Sequence, residues 1–326
     1  MLQAVNSNES PFRLDRDRWW TPKISVIVTH HNYSDHVEDA LLSLLDQTYE
    51  HWECVVVDDA SDPEHVLALE AIVKKIGDKR ITLRKLDENV GQTPAAFAGL
   101  DCTDGPFVCV LDPDDRYAPR FLQEAVSGHL NGSVYCPILS TDQFLICDEQ
   151  LITCVYSHQQ LRFLEPSTRG ASIVPELPEE KLLYFPSWVG GWHWGSTSSL
   201  MFRRAAVEFM RPPNDLNFFR SVDSYLAQGA HLMGGSLFLT KSLVYRTIHP
   251  NNSYLTDRVF ALGQDKGRYD GAAHSKICRE AVIEAIKMNG GESFLFKPQK
   301  KRRKGILARW QRSMDKRWKR LTGQPR

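Results

Sequence analysis

Three short apolar runs, residues 24–28, 54–57 and 107–111, and a further strand-like stretch at 81–86 fall in roughly the first third of the chain, and helical periodicity fills the gaps between them. Rich in β-branched residues, the runs suit buried strands. After the first, Val37, Leu41, Leu44 and Leu45 recur at helical spacing. Ser34 or Asp35 is placed to cap that helix, with Glu38 three residues beyond Asp35 as in a capping box. Pro63 fits the first turn of a second helix reaching to about Ile76, and Thr93-Pro94 opens a third that runs to about Leu100. Strands that alternate with helices through short connections predict an α/β fold, a mostly parallel sheet with helices on both faces. Such sheets bind ligands at the carboxyl ends of their strands. Here those ends read Thr29-His30-His31-Asn32, Asp58-Asp59 and Asp112-Pro113-Asp114-Asp115, so polar and acidic groups gather at one edge. Beyond Arg116 the pattern blurs: residues 133–160 read as strands with turns, and residues 184–200 are rich in Trp, Gly and Ser. The divisions that follow are an N-terminal arm (1–22), a first half (23–116), a second half (117–255) and a C-terminal helical and basic tail (256–326).

The chain's 326 residues suffice for a sizeable core, and 42% hydrophobic and 25% charged residues are ordinary for a folded protein. No run of 18 apolar residues occurs, so no membrane-spanning helix is expected; nor is a secretory signal, since no basic segment precedes an apolar run near the N-terminus. Seven cysteines without CxxC spacing argue for a reducing compartment and against a disulfide frame or a zinc knuckle. A cytoplasmic placement is therefore expected. The net charge of zero hides an asymmetry. Of 40 basic and 40 acidic residues, 13 bases and one acid fall from Lys297 onward, which leaves 27 bases and 39 acids before it. An acidic body and a basic tail imply different partners.

Asp112, Asp114 and Asp115 directly follow an apolar strand. Carboxylates so close repel one another and call for a counter-charge. A hard divalent cation, Mg2+ or Mn2+, would supply it, taking carboxylate ligands together with substrate phosphates. Such an ion stabilises charge on a departing diphosphate. The competing reading is a turn whose Asp side chains satisfy backbone amides. Asp58-Asp59 can accept hydrogen bonds from a base or a ribose hydroxyl, or simply cap the helix before Pro63.

The ordered set resembles the inverting family 2 glycosyltransferases of GT-A fold, which are Rossmann-like. The resemblance is carried by the segments at residues 24–32, 41–49 and 55–62, by Asn89-Val90-Gly91, and by residues 110–119, over roughly a hundred residues. It implies that the first half binds a nucleotide-sugar, with uridine as the favoured base, and the second half binds acceptor. The carry-over places Thr29, His31, Asn32, Asp58, Asp59, Gly91, Asp112 and Asp114 on the donor, and Asp112 and Asp114, with Asp115 beside them, on the metal. One departure concerns the Ala-Arg-Asn run that commonly follows the family's glycine. This chain reads Ala95-Ala96-Phe97 after Gly91, so that basic diphosphate contact is missing, with Arg84 or Arg116 as candidate substitutes.

Inverting transfer needs a carboxylate to take the acceptor hydroxyl's proton from the side opposite the leaving group. Asp223, in Arg220-Ser-Val-Asp-Ser-Tyr-Leu226, opens an apparent helix and resembles the family's acid at that place, with Asp215 in reserve. The plain alternative for Asp223 is an N-terminal acid favoured by the helix dipole. Trp192, His193 and Trp194 form either a stacking wall for an acceptor sugar or part of the core. His249, after Tyr245-Arg246, reaches the metal or diphosphate, or is a structural hydrogen-bonder.

In the tail, Ile306, Leu307, Trp310, Met314, Trp318 and Leu321 recur at steps of three or four among Arg and Lys. Residues 300–321 are thus predicted as a basic amphipathic helix lying on an anionic membrane, peripherally on its inner face, where lipid-linked acceptors reside. A solvated tail or RNA contact is the alternative, and no nucleic-acid partner is expected. The resemblance therefore implies a hexosyl- or hexosaminyltransferase acting on a saccharide or lipid-linked acceptor of the cell envelope, or on a protein. The two rival readings are a binding module of the same fold without turnover and a nucleotidyltransferase. The latter usually has a Gly-rich basic loop where this chain has Thr-His-His-Asn-Tyr.

Overall fold

The structure, a computed structural model, describes residues 21–130, 134–147, 150–152, 182–213, 221–249 and 271–296. Most of the N-terminal arm, Asp215 and the basic tail lie outside the described residues. The first half alternates as the sequence predicts: β1 (Ile24–His30), α1 (Ser34–Leu45), β2 (Trp52–Asp58), α2 (Pro63–Ile76), β3 (Ile81–Lys85), α3 (Gln92–Leu100) and β4 (Phe107–Leu111). There follow β5 (Arg116–Tyr117), α4 (Phe121–Leu130), β6 (Ile138–Cys147), β7 (Gln150–Ile152), β8 (Leu182–Phe185), β9 (Leu200–Arg203), α5 (Arg204–Phe209), α6 (Val222–Gly234), β10 (Ser236–Ile248) and α7 (Gly271–Met288).

One sheet runs through both halves in the order β3-β2-β1-β4-β9-β6-β10-β5, with β7 on β6 and β8 on β10. Strands β1 to β4 are parallel, β9 is antiparallel to both β4 and β6, and β10 is parallel to β6. The boundary predicted between residues 116 and 117 falls inside β5, on a continuous sheet. Side chains alternate across it. Val26, Val28, Cys54 and Val56 join α1, α2 and α4 in one core. Ile27, Val55, Val57, Val108 and Val110 join α3, α6 and α7 in the other. A strand buried on both faces reads as a continuous apolar run, which is why β1 and β4 stood out in the sequence.

Helix boundaries follow local chemistry. Pro63 opens α2 and Gly77, at φ 65°, closes it. Gly91, at φ 87°, precedes α3. The expected side-chain cap of α1 is absent. Ser34 is already the first helical residue, and its hydroxyl instead meets His65 Nδ1 at 2.7 Å, tying α1 to α2. Among the described residues no helix is long and apolar enough to cross a membrane, and Cys54, Cys102, Cys109, Cys136 and Cys278 are free.

Candidate functional site

The chain order of the sheet reverses between β1 and β4, and a cleft of about 500 Å³ opens at their carboxyl ends. Thr29, His31 and Tyr33 line it from the end of β1, and Asp59 from the end of β2. Asn89, Gly91 and Gln92 come from the segment leading into α3, and Asp112, Asp114 and Asp115 from the end of β4. Ser196 and Thr197, Ser221 and Asp223, and Arg246 of β10 complete the wall.

The two adjacent acids at the end of β2 have different duties. Asp59 accepts the backbone N–H of Val90 and of Gly91, each at 2.8 Å, and so shapes the wall opposite β1. His31 Nδ1 lies 2.9 Å from the Asp59 carbonyl oxygen, and Asn89 Nδ2 lies 3.1 Å from His31 Nε2. Asp58, predicted to touch the donor, is instead buried beneath this layer at 1% exposure. Its carboxylate accepts from His30 Nδ1 at 2.8 Å and from the Ser61 hydroxyl at 2.6 Å and Ser61 N–H at 3.2 Å. Burial alone would raise its pKa, but the bonds from Ser61 and His30 together hold it below the usual carboxylate range. Asn32 is also redirected. At φ 59°, its amide exchanges hydrogen bonds with Asp62, Nδ2 to Oδ2 at 2.9 Å and Asp62 N–H to Oδ1 at 2.8 Å, which ties the β1 loop to the start of α2 away from the cleft.

The acids after β4 face the cleft together. Asp112 Oδ1 accepts from Gln92 Nε2 at 2.7 Å, and Asp114 Oδ2 lies 3.0 Å from His249 Nε2. His249 stacks on His36 with ring centroids 4.9 Å apart. Asp115, predicted beside the metal, also has a bracing duty. One oxygen accepts from Ser198 Oγ at 2.6 Å and the other from Thr247 N–H at 3.1 Å, so it links the end of β4 to β10. Burial, then the charge of Asp114, pushes Asp115 up to about 7. Burial, then Asp115, Asp114 and Asp223, pushes Asp112 well above the carboxylate range, with Arg246 opposing both shifts.

Arg246 is the residue that sequence reasoning missed. It is the one Lys or Arg lining the cleft among the described residues. The suggested substitutes lie elsewhere: Arg84 donates to the Ala98 carbonyl at 2.7 Å, and Arg116 sits 3.9 Å from Asp39 and over the Tyr245 ring. Gln92, Ser196, Thr197 and Ser221 were missed as well. Ser221 caps α6 and donates to Asp223 Oδ1, which also accepts Ser224 N–H at 2.6 Å.

The aromatic trio is not an open stacking wall. Trp194 is 2% exposed within the second core, its indole N–H donating to Ser236 Oγ at 2.8 Å. His193 is equally buried and stacks on Phe185 at 4.7 Å. Trp192 is half-buried and meets Trp194 edge-on. The core thus claims the rings of His193 and Trp194, while Trp192 packs at its margin.

Among the described residues no three His, Cys, Asp or Glu side chains converge as a ready metal cage. The donor set nonetheless fits a hard divalent ion that shares its shell with substrate oxygens: carboxylates of Asp112 and Asp114 and the imidazole of His249. Acids that raise one another's pKa are also in excess over Arg246, an imbalance that a bound cation relieves.

The glycosyl transferase family 2 model matches residues 25–147, the span from β1 through β6. TuaG of Bacillus subtilis (strain 168), a glycosyltransferase named for teichuronic acid biosynthesis, is 38% identical over 105 residues, 32% of this chain and 41% of TuaG. The alignable region thus spans about two fifths of that relative. Two solved structures share the fold. S. aureus TarS 1-349 in complex with UDP-GlcNAc has a TM-score of 0.53 at 18% identity, over 81% of this chain and 73% of that one. The mannosyltransferase PcManGT from Pyrobaculum calidifontis, in complex with GDP-Man and Mn2+, has a TM-score of 0.51 at 20% identity, over 83% and 74%. The architecture is GT-A. The matched segment contains β1, β2 and β4 with every acid they carry to the cleft, and over it the chain is similar to glycosyl transferase family 2.

Proposed function

We propose that the chain is an inverting glycosyltransferase that moves a sugar from a metal-bound nucleotide-sugar, a UDP-sugar, to a hydroxyl of a saccharide or lipid-linked acceptor. One observation carries the reading: Asp223 and the Asp112–Asp114 pair enter a single cleft from different elements, α6 and the end of β4. Displacement with inversion requires such a division, because the attacking hydroxyl and the leaving diphosphate lie on opposite sides of the anomeric carbon.

Asp223 is the base. Ser221 and Ser224 engage its Oδ1 and fix the carboxylate, which receives the proton as the acceptor oxygen bonds to the anomeric carbon. The carbon–oxygen bond to the diphosphate breaks with its electron pair going to the phosphate oxygen. Arg246 faces that developing charge and takes the place of the basic run missing after Gly91. Asp112, Asp114 and His249 would hold a Mn2+ or Mg2+ ion, which when bound supplies positive charge to the diphosphate. Thr29, His31, Asp59 and Gly91 form the walls for the nucleoside. The Mn2+ and GDP-Man of PcManGT and the UDP-GlcNAc of TarS support a metal and a nucleotide-sugar here by likeness of fold. The relative named for teichuronic acid biosynthesis supports a cell-envelope saccharide as acceptor. A cytoplasmic enzyme held peripherally at the inner membrane face through residues 300–321 would meet such acceptors where they are lipid-linked.

Calorimetric titration with UDP and Mn2+, beside a transfer assay over a panel of UDP-sugars, tests the reading. Asp114→Ala should abolish the Mn2+-dependent part of UDP binding. Asp223→Asn should retain binding and lose transfer. Transfer undiminished in both variants would refute the assignment, and binding with no turnover of any donor in the wild type would favour a module that recognises nucleotides without catalysis.

A further inference from the structure

At the opposite end of α6 from Asp223, aromatic side chains are exposed. Trp188 is 58% exposed and Phe296 38%, their ring centroids 6.1 Å apart. Phe296 N–H donates to the Leu232 carbonyl in the last turns of α6, and His231 of the same turns lies 3.0 Å from the Val189 carbonyl oxygen. Tyr184, also exposed, packs beside Gly235 where α6 ends. Phe294 is 53% exposed two residues before Phe296. Scattered exposed apolar residues are ordinary, but several aromatic side chains grouped around one helix end are not. Phe296 is followed directly in the sequence by Lys297. The sequence that follows carries 13 Lys and Arg against one acid, with Ile306, Trp310, Met314, Trp318 and Leu321 spaced through it. Exposed Trp, Tyr and Phe adjoining dense positive charge match the headgroup region of an anionic bilayer, where aromatic rings sit at the apolar boundary and cations face phosphate.

We infer that the aromatic end formed by Trp188, Tyr184, Phe294 and Phe296 is a lipid-docking face that seats the protein on an anionic membrane. The inference deepens the membrane placement given above and rests on it, but not on the chemistry of the cleft. The 13 residues of α6 separate the two ends by about 20 Å, so a protein seated this way keeps its cleft open to solvent.

Co-sedimentation of the full-length chain with phosphatidylcholine vesicles, with and without phosphatidylglycerol, tests this, with Mn2+-dependent UDP binding measured on the same samples. Wild-type protein should partition onto the vesicles containing phosphatidylglycerol and not onto phosphatidylcholine alone. Trp188→Ser with Phe296→Ser should weaken that partition by at least about ten-fold, because burying one aromatic ring is worth more than a factor of ten in binding. Trp188→Ser alone, at a side chain that is mostly exposed, should weaken it in the same direction and guards against misfolding of the double variant. Equal partition of wild type and Trp188→Ser would overturn the inference. So would a patch already covered, shown by a Trp188→Ser variant that loses thermal stability without losing lipid binding, or by a dimer in light scattering that Trp188→Ser dissolves. Loss of lipid partition with UDP binding intact supports the docking face whatever sugar the cleft transfers, whereas absent UDP binding with intact partition counts against the cleft alone.

Discussion

Gln92 Nε2 donates to Asp112 Oδ1 at 2.7 Å, and the side-chain oxygen of the same Gln92 accepts the backbone N–H of Val222 at 3.4 Å. The first residue of α3 thereby connects the acid cluster after β4 to the helix start that presents Asp223. A hydrogen bond to a charged acceptor contributes about 1.5–3 kcal/mol.

Gln92→Ala should therefore damage the cleft without damaging the fold. Without its donor, Asp112 holds its proton still more tightly, and the α6 start loses its link to α3. We expect Mn2+-dependent UDP binding to weaken by roughly 10- to 100-fold, as the lost free energy converts. Calorimetry measures it, with a thermal melt as the folding control. Unchanged affinity would show that the contact is incidental.

Ala60→Gly should stabilise the protein. Ala60 follows Asp59 at φ 52°, a left-handed conformation in which a β-carbon costs about 1–2 kcal/mol. Glycine removes that strain but gives the unfolded chain more freedom, which returns about 0.4–1 kcal/mol. The net gain should be about 0.5–1 kcal/mol by urea denaturation. Asn32, at φ 59°, differs because its amide exchanges two bonds with Asp62, so Asn32→Gly should destabilise instead. A loss at Ala60 equal to that at Asn32 would contradict the strain argument.

Gly195→Ala should disorder the wall that carries Ser196 and Thr197. A methyl group there would overlap the Ser199 side chain and come within 3.2 Å of Gln143 Oε1, which already accepts from Ser196 N–H at 3.0 Å and Ser196 Oγ at 2.8 Å. Overpacking of this kind costs about 1–3 kcal/mol. Thermal melting should register the loss, and UDP binding should fall with it, since Ser198 of the same segment accepts from Asp112 N–H and donates to Asp115. A variant as stable as wild type would mean that the segment relaxes freely.

What the sequence disclosed and what it concealed follow from range. Strands β1, β2 and β4 were legible because each is an apolar run ended by polar residues; Asp112 and Asp114 follow the last of these runs, and Asp223 lies at the start of α6. Asp58 and Asp59 could not be told apart: neighbouring residues at a strand end project to opposite sides, and which side is the cleft depends on how the whole sheet is covered. Arg246 was hidden because it reaches the cleft from β10, three places from β4 in the sheet, through pairings between distant segments. Trp194 misled because an indole ring suits a core as well as a sugar-binding wall; the deciding partner, Ser236, lies 42 residues away.

The final prediction concerns pH, and its sign follows from the raised pKa values of the cleft acids. Burial, with Asp114 next in weight, pushes Asp115 up to about 7, and burial, with Asp115, pushes Asp112 well above its ordinary range. In the unfolded chain an Asp titrates near 3.9. Between these values the folded state binds more protons than the unfolded one, so the stability these groups contribute is complete below about pH 4 and drains away as pH rises to about 7. Buried His129 and His231, both pushed down to about 4, act in the opposite sense, their contribution being lost as pH falls below about 6.5. The difference between wild type and Asp115→Asn cancels the histidines. In metal-free buffer the melting temperature of wild type relative to Asp115→Asn should fall from pH 5 to pH 7.5, by about 2–4 °C for each kcal/mol involved. Mn2+ with UDP binds the ionised, folded cleft, so the melting temperature it adds to wild type should be larger at pH 7.5 than at pH 5. A stabilisation by Mn2+ and UDP that is the same at both pH values would mean that the carboxylates of this cleft take no part in holding the ion.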